Sequence, residues 1–117
     1  MKSRPIGERV SLLGAVDWNR RLFDSLIPLP DGTSYNSYLV RGSGKTALID
    51  TVDPAKADIL LAQLADVDRI DYLVANHAEQ DHSGSIPMVL AKYPAAQLLA
   101  TPTCKGMLIE LLAVPED

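Results

Sequence analysis

Apolar and β-prone residues open the chain at Arg9-Val10-Ser11-Leu12-Leu13-Gly14-Ala15-Val16, which predicts a strand. Asp17-Trp18-Asn19 and the Pro- and Gly-punctuated stretch to Gly32 read as an excursion from it. Two further β-prone runs, Ser34 to Arg41 and Lys45 to Asp50, are separated only by Gly42-Ser43-Gly44, a connection suited to a hairpin. The pattern then changes period. Asp53 can cap a helix whose first residue is Pro54, where a missing N–H and a fixed φ do little harm. Ile59, Leu60, Gln63, Leu64 and Val67 follow with helical spacing, and only Gln63 on that face is polar. Ile70 to Ala75 is an apolar strand that stops at Asn76. Ser85 to Tyr93 predicts a helix with Pro87 in its first turn, Gln97 to Thr101 a short strand, and Pro102 opens a last helix through Met107, Leu108, Leu111 and Leu112. This alternation of strand and helix predicts an α/β layer attached to an antiparallel hairpin.

Composition narrows the classes of function. The 117 residues suffice for one core, with 47% hydrophobic and 22% charged residues in the balance of an ordinary globular domain. The net charge of −4, with Lys and Arg scattered, leaves no electrostatic footprint for nucleic acid. Glu8 and Arg9 interrupt the N-terminus before an apolar signal-peptide core can form, and no apolar run reaches the roughly 18 residues of a membrane span. The expectation is a cytoplasmic protein. Cys104 is the single cysteine, so one chain can form neither an internal disulfide nor a thiolate cage. It reads as a small apolar residue of a helix, and any metal must be held by nitrogen and oxygen.

Such donors are concentrated at one place. His77-Ala78-Glu79-Gln80-Asp81-His82-Ser83-Gly84 follows the Ile70 to Ala75 strand directly and contains both histidines of the chain. Loops that leave strand ends are where a rigid scaffold presents functional groups. In an extended or tightly turning loop, His77 and Glu79 share a side while Asp81 and His82 turn toward a second point, an arrangement suited to two neighbouring metals. Gly84 would allow a sharp bend into the next helix, and Gln80 would be exposed. Carboxylates are harder, anionic donors than imidazole, so this set leans toward iron or manganese, with zinc still able to occupy it. Asp50, at the end of the second hairpin strand, either orients a ligand histidine by accepting its second N–H or caps a turn. Trp18 is expected to pack in the core rather than line the site.

The run His77-x-Glu79-x-Asp81-His82-x-Gly84 resembles the His-x-His-x-Asp-His signature of the metallo-β-lactamase superfamily. Glu79 stands in place of the second histidine, as in the flavodiiron proteins. The resemblance extends over Gly14 to Asn19, Thr33 to Val40 (where Tyr35 and Asn36 have no assignable role), Leu48 to Val52 and Asp71 to Asn76. It implies the αββα fold of that superfamily, N-terminal half only, with residues 1–117 as a partial domain and the C-terminal half and a flavodoxin-like domain absent. It also implies that His77 and Glu79 bind one iron and Asp81 and His82 the other. The implied non-haem diiron centre reduces dioxygen to water, nitric oxide to nitrous oxide, or both. Its electrons come from FMN on the flavodoxin-like domain and from a donor such as rubredoxin.

The chain departs from that pattern in one respect. Family members add a further histidine for each iron and a bridging carboxylate, and none can be assigned here, since no histidine follows His82. The expectation is a fragment of an oxidoreductase, inactive in isolation, binding one metal weakly or none, and self-associating into a homo-oligomer through apolar surface left uncovered. Two other readings stand beside it: a dinuclear zinc hydrolase on the same scaffold, against which Glu79 counts, and a truncated interaction module without catalysis.

Overall fold

A computed structural model describes residues 1–23 and 25–112. Its strands are β1 (Arg4–Pro5), β2 (Val10–Asp17), β3 (Leu22–Phe23), β4 (Ile27–Pro28), β5 (Thr33–Arg41), β6 (Thr46–Ile49), β7 (Tyr72–Val74) and β8 (Gln97–Leu99). Its helices are α1 (Ala57–Gln63), α2 (Gln80–Ser83), α3 (Ile86–Lys92) and α4 (Pro102–Leu112), with a 3-10 turn over Pro54–Lys56 leading into α1. Six strands form one mixed sheet in the order β1-β2-β5-β6-β7-β8, and β3 and β4 form a separate small hairpin within the excursion.

The large sheet has three antiparallel pairings followed by two parallel ones, as the strand and helix alternation predicts. β2 pairs with β5 from Val10 opposite Val40 to Asp17 opposite Thr33, and β5 pairs with β6 from Tyr38 opposite Ile49 to Arg41 opposite Thr46. The Gly42-Ser43-Gly44 connection closes with Gly42 N–H donating to Lys45 O at 2.8 Å. From β6 onward the strands run parallel, β6 with β7 and β7 with β8, because each is reached through a helical crossover. Tyr35, Ser37 and Leu39 alternate inward from β5, as the two-residue period of a half-buried strand requires.

The core lies between this sheet and its helices. Leu13, Leu48, Leu60, Leu64, Leu73, Ile86 and Leu108 are essentially inaccessible. Asp53 caps the entry to α1 by accepting from Ala55 N–H at 3.0 Å, but α1 ends at Gln63 rather than continuing to Val67. Beyond Gln63 the N–H groups of Leu64, Ala65 and Val67 turn back to carbonyls three residues earlier, tightening the chain toward β7. Tyr93 Oη lies 3.0 Å from Leu64 O and 2.6 Å from Val67 O and satisfies that turn. Gln63, the polar residue on the buried face, clamps β2: its Nε2 donates to Gly14 O at 2.8 Å and its Oε1 accepts from Gly14 N–H at 2.9 Å. Gly14 has φ +127°, and a Cβ there would fall 2.0 Å from Tyr35 O, so no other residue fits. Cys104 is buried in α4 as a small apolar residue, its Sγ 3.6 Å from Ala75 O. Among the described residues no helix is long and apolar enough to cross a membrane.

Trp18 is not in the core. It is 67% exposed, because Asp17 turns inward at the end of β2 and the next residue faces outward. The buried aromatic of this region is Tyr35.

Candidate metal centre

β7 delivers the chain to the centre. Leu73 and Ala75 point into the core, and Asn76, at the strand exit, donates its backbone N–H to Asp50 Oδ1 at 2.8 Å. The next residues stay extended long enough for Ala78 to bury while His77 and Glu79 stand on the outer side. At Glu79, with φ −62° and ψ 145°, the extended run ends and α2 begins. The segment is therefore extended in its first half and helical in its second, not one continuous loop. The helical turn places Asp81 and His82 side by side, and Gln80 lies exposed.

The four donors meet as two pairs. His77 Nε2 is 2.9 Å from Glu79 Oε2, and His82 Nε2 is 3.4 Å from Asp81 Oδ2. The two imidazole centroids are 5.5 Å apart. The donor side chains differ in exposure, from 56% for His77 and 38% for Glu79 to 32% for His82 and 13% for Asp81. Among the described residues, no group of three or more such donors converges on a single point. One oxygen of the cluster has no partner there: Asp81 Oδ1 is buried and accepts no hydrogen bond. A desolvated carboxylate oxygen without a donor is destabilising unless a cation completes it. That orphan and the mixed imidazole and carboxylate set fit a pair of hard or borderline divalent metals.

Asp50 does not reach a histidine ring. Its carboxylate holds the backbone of Asn76 instead, and its own φ of +58° turns the chain out of β6 so that it can do so. Burial pushes the Asp50 carboxyl up from its ordinary range, against the opposing pull of the Asn76 N–H and of the neighbouring His82 and His77. Its part is to fix where the histidine segment starts.

Gly84 also differs from its expected role. Its φ of −61° and ψ of −25° are ordinary helical values, so it supplies no sharp bend. A Cβ at Gly84 would lie 2.3 Å from Pro54 Cδ and 2.5 Å from Gln80 O, so glycine is required for close approach to the 3-10 turn that leads into α1.

Three buried hydroxyls complete the surroundings, and sequence patterns did not single them out. Ser83 Oγ donates to Ala78 O at 2.6 Å, Ser85 Oγ to Val52 O at 2.8 Å, and Thr51 Oγ1 to His82 O at 2.9 Å. The one signal available was their type: small polar residues where a buried strand exit and a helix start would otherwise be apolar.

Residues 30–107 match the family model of the metallo-beta-lactamase superfamily. Over 105 residues the chain is 41% identical to a nitric oxide reductase of Moorella thermoacetica, covering 85% of this chain and 26% of that protein. Over 93 residues it is 42% identical to the rubredoxin-oxygen oxidoreductase of Megalodesulfovibrio gigas, covering 77% and 23%. Its fold is similar to solved structures of the rubredoxin oxygen:oxidoreductase from Desulfovibrio gigas, with TM-score 0.89, 32% identity and 97% of this chain against 29% of that one. It is also similar to a mutant flavo di-iron protein from Thermotoga maritima, with TM-score 0.91, 27% identity and 97% against 30%. The chain thus spans about a quarter of the length of the curated relatives it matches. It belongs to the metallo-beta-lactamase superfamily, and its relatives there are flavodiiron proteins, of whose diiron domain it covers the N-terminal part.

Proposed function

We propose that residues 77–82 are the first ligand segment of a non-haem diiron centre that reduces dioxygen to water or nitric oxide to nitrous oxide. His77 and Glu79 would hold one iron, and Asp81 and His82 the other. The observation that carries this reading is the pairwise contact of the donors together with the buried, unpartnered Asp81 Oδ1. A pair of bound irons supplies two electrons and open coordination positions side by side. The chain's own residues do the holding. Glu79 and Asp81 offset cationic charge, Asp50 fixes the start of the segment through Asn76, and Ala78 anchors its middle in the core.

Two protein donors for each metal are too few for a tight centre. The remaining ligands therefore come from outside the described residues, and these 117 residues alone are inactive. In this reading they form one half of a metallo-β-lactamase-like domain working with a flavodoxin-like domain that carries FMN, and rubredoxin or a similar small carrier delivers the electrons. The names of the relatives from Moorella thermoacetica and Megalodesulfovibrio gigas support nitric oxide and dioxygen as substrates and rubredoxin as donor. The same reading has the protein working in the cytoplasm and self-associating. Exposed Trp18, Leu22, Leu26 and Ile27 supply an apolar surface for that.

Equilibrium dialysis of the chain against Fe(II) and Zn(II) without oxygen tests the reading. Iron should bind, weakly, with up to two ions per chain, and Asp81→Ala should lower the affinity of one of the two sites by about 100-fold, since it leaves that metal a single protein donor. Preferential uptake of two zinc ions would instead favour the hydrolase reading. No uptake of either metal, in the chain or in self-associated copies, would leave an interaction module.

A further inference from the structure

We infer that Thr51 is a positioning residue that sets where His82 stands relative to His77, and with it the spacing between the two donor pairs; this deepens the reading of those pairs as metal ligands and rests on it. α2 has only four residues, Gln80–Ser83, too few to hold a helical turn on its own hydrogen bonds. The carbonyl of His82 is among the last of that helix, which have no partner within it. Thr51 supplies two. Its backbone N–H donates to His82 O at 2.7 Å and its hydroxyl donates to the same oxygen at 2.9 Å. The hydroxyl oxygen in turn accepts from Ser85 N–H at 3.3 Å, just beyond the end of α2. Thr51 itself is wholly inaccessible, so both donors reach the half-buried His82 carbonyl from the core side.

The neighbouring residue holds the other end of the segment. Asp50 accepts from Asn76 N–H immediately before His77, while Thr51 grips the backbone of His82. The φ of +58° at Asp50 is what sends these adjacent residues to opposite ends of one six-residue stretch. The exit of β6 therefore acts as the gauge for the segment: Asp50 fixes the first histidine and Thr51 fixes the last. Packing alone would be served by valine, which is close to threonine in shape and keeps the backbone N–H but has no side-chain hydroxyl to donate to His82 O.

The test compares Thr51→Val, which removes the hydroxyl, with Thr51→Ser, which keeps it, in the full 117-residue chain. Urea unfolding confirms that each variant is folded. The first readout needs no metal: a cross-peak between the ring protons of His77 and His82 in nuclear Overhauser spectra, present in the parent, should be lost in Thr51→Val and restored in Thr51→Ser. The second is cobalt(II) titration followed by its visible absorption, in which Thr51→Val should weaken binding about 10- to 100-fold, as loss of an outer partner of a metal ligand does, and Thr51→Ser should recover it. If Thr51→Val does not fold, Thr51→Ala removes the same hydroxyl without placing a methyl group against the carbonyl. Retention of both the cross-peak and the cobalt affinity without the hydroxyl overturns the proposal, as does equal loss in Thr51→Ser. A parent chain that binds no cobalt, yet loses and regains the cross-peak with the hydroxyl, upholds the positioning role and refutes the metal reading.

Discussion

Two polar clusters flank the core of this molecule, and they differ in whether their hydrogen bonds close. At the end of β2, Asp17 Oδ1 accepts from the N–H groups of Asn19 and Arg20 at 3.2 Å each and lies 3.9 Å from Lys56 Nζ, while Oδ2 accepts from the Tyr35 hydroxyl at 3.0 Å. Arg20 Nη1 continues the network to Asp53 Oδ2 at 2.9 Å, and Asp53 Oδ1 caps Ala55. Both oxygens of each carboxylate are engaged. Among the described residues, the four donor side chains from His77 to His82 have only each other, and Asp81 Oδ1 has no partner. The first cluster is built to hold the β2 end against the start of α1. The second leaves its donors available, which is how a ligand set differs from a structural network.

The largest expected effect separates the two clusters by opposite outcomes. Asp17→Ala should destabilise the fold by about 2–4 kcal/mol, since it strands a buried tyrosine hydroxyl and two backbone N–H groups at once. Asp81→Ala removes a carboxylate whose buried oxygen has no donor, so stability should hold or rise by up to about 1 kcal/mol. Urea unfolding of both variants under identical conditions measures the contrast. Equal destabilisation would mean that Asp81 is a structural residue and that the distinction between the clusters is wrong.

That distinction was only half legible in the amino-acid sequence. The Gly42-Ser43-Gly44 hairpin, the Asp53–Pro54 helix start and the donors from His77 to His82 depend on local spacing, and each could be read directly. The helical turn over Gln80–Ser83 could not, because four mostly polar residues carry no apolar period, and the turn exists through contacts to Thr51 made 31 residues away in the chain. The hydroxyls of Thr51 and Ser85 were hidden for the same reason. Trp18 misled for a different one: its size argues for burial, but its side is decided by Asp17, whose carboxylate binds the N–H groups of Asn19 and Arg20. Gly84 was singled out correctly as a glycine of consequence, but the clash that requires it involves Pro54, thirty positions earlier.

Tyr35→Phe probes the closed cluster more gently and carries a pH signature. Burial raises the Asp17 pKa, but the Tyr35 hydroxyl, the N–H groups of Asn19 and Arg20, and Lys56 outweigh it, so the carboxyl sits below its ordinary value. A lowered carboxylate stabilises the fold above about pH 4, and that contribution fades as pH falls through the folded value. Tyr35 itself is pushed up to about 12, chiefly by burial. Its contribution is complete below about pH 10, the ordinary phenol value, and is lost as pH rises from there through about 12. Removing the hydroxyl should cost about 1–2 kcal/mol at neutral pH. It should also move the onset of acid unfolding to higher pH and remove the Tyr35 share of alkaline unfolding, leaving that of Tyr93, which burial also raises. Unfolding midpoints across a pH series read all three, and an unchanged acid limb would show that Asp17 does not depend on Tyr35.

The smallest effect on stability is expected at the outer edge of the same region. Trp18 follows Asp17 directly, so its backbone is held by the closed cluster while its indole is 67% exposed, and Leu26 on the small hairpin is 82% exposed. Neither side chain contributes to the core, so Trp18→Ser and Leu26→Ser should each change stability by no more than about 0.5 kcal/mol. If this surface joins copies of the chain, the same substitutions should shift sedimentation toward the monomer at concentrations where the parent associates. A loss of 2 kcal/mol or more at Trp18 would mean that the indole is packed after all. Unchanged sedimentation with unchanged stability would assign self-association to another face, and the exposure of Trp18 would then follow solely from the inward turn of Asp17.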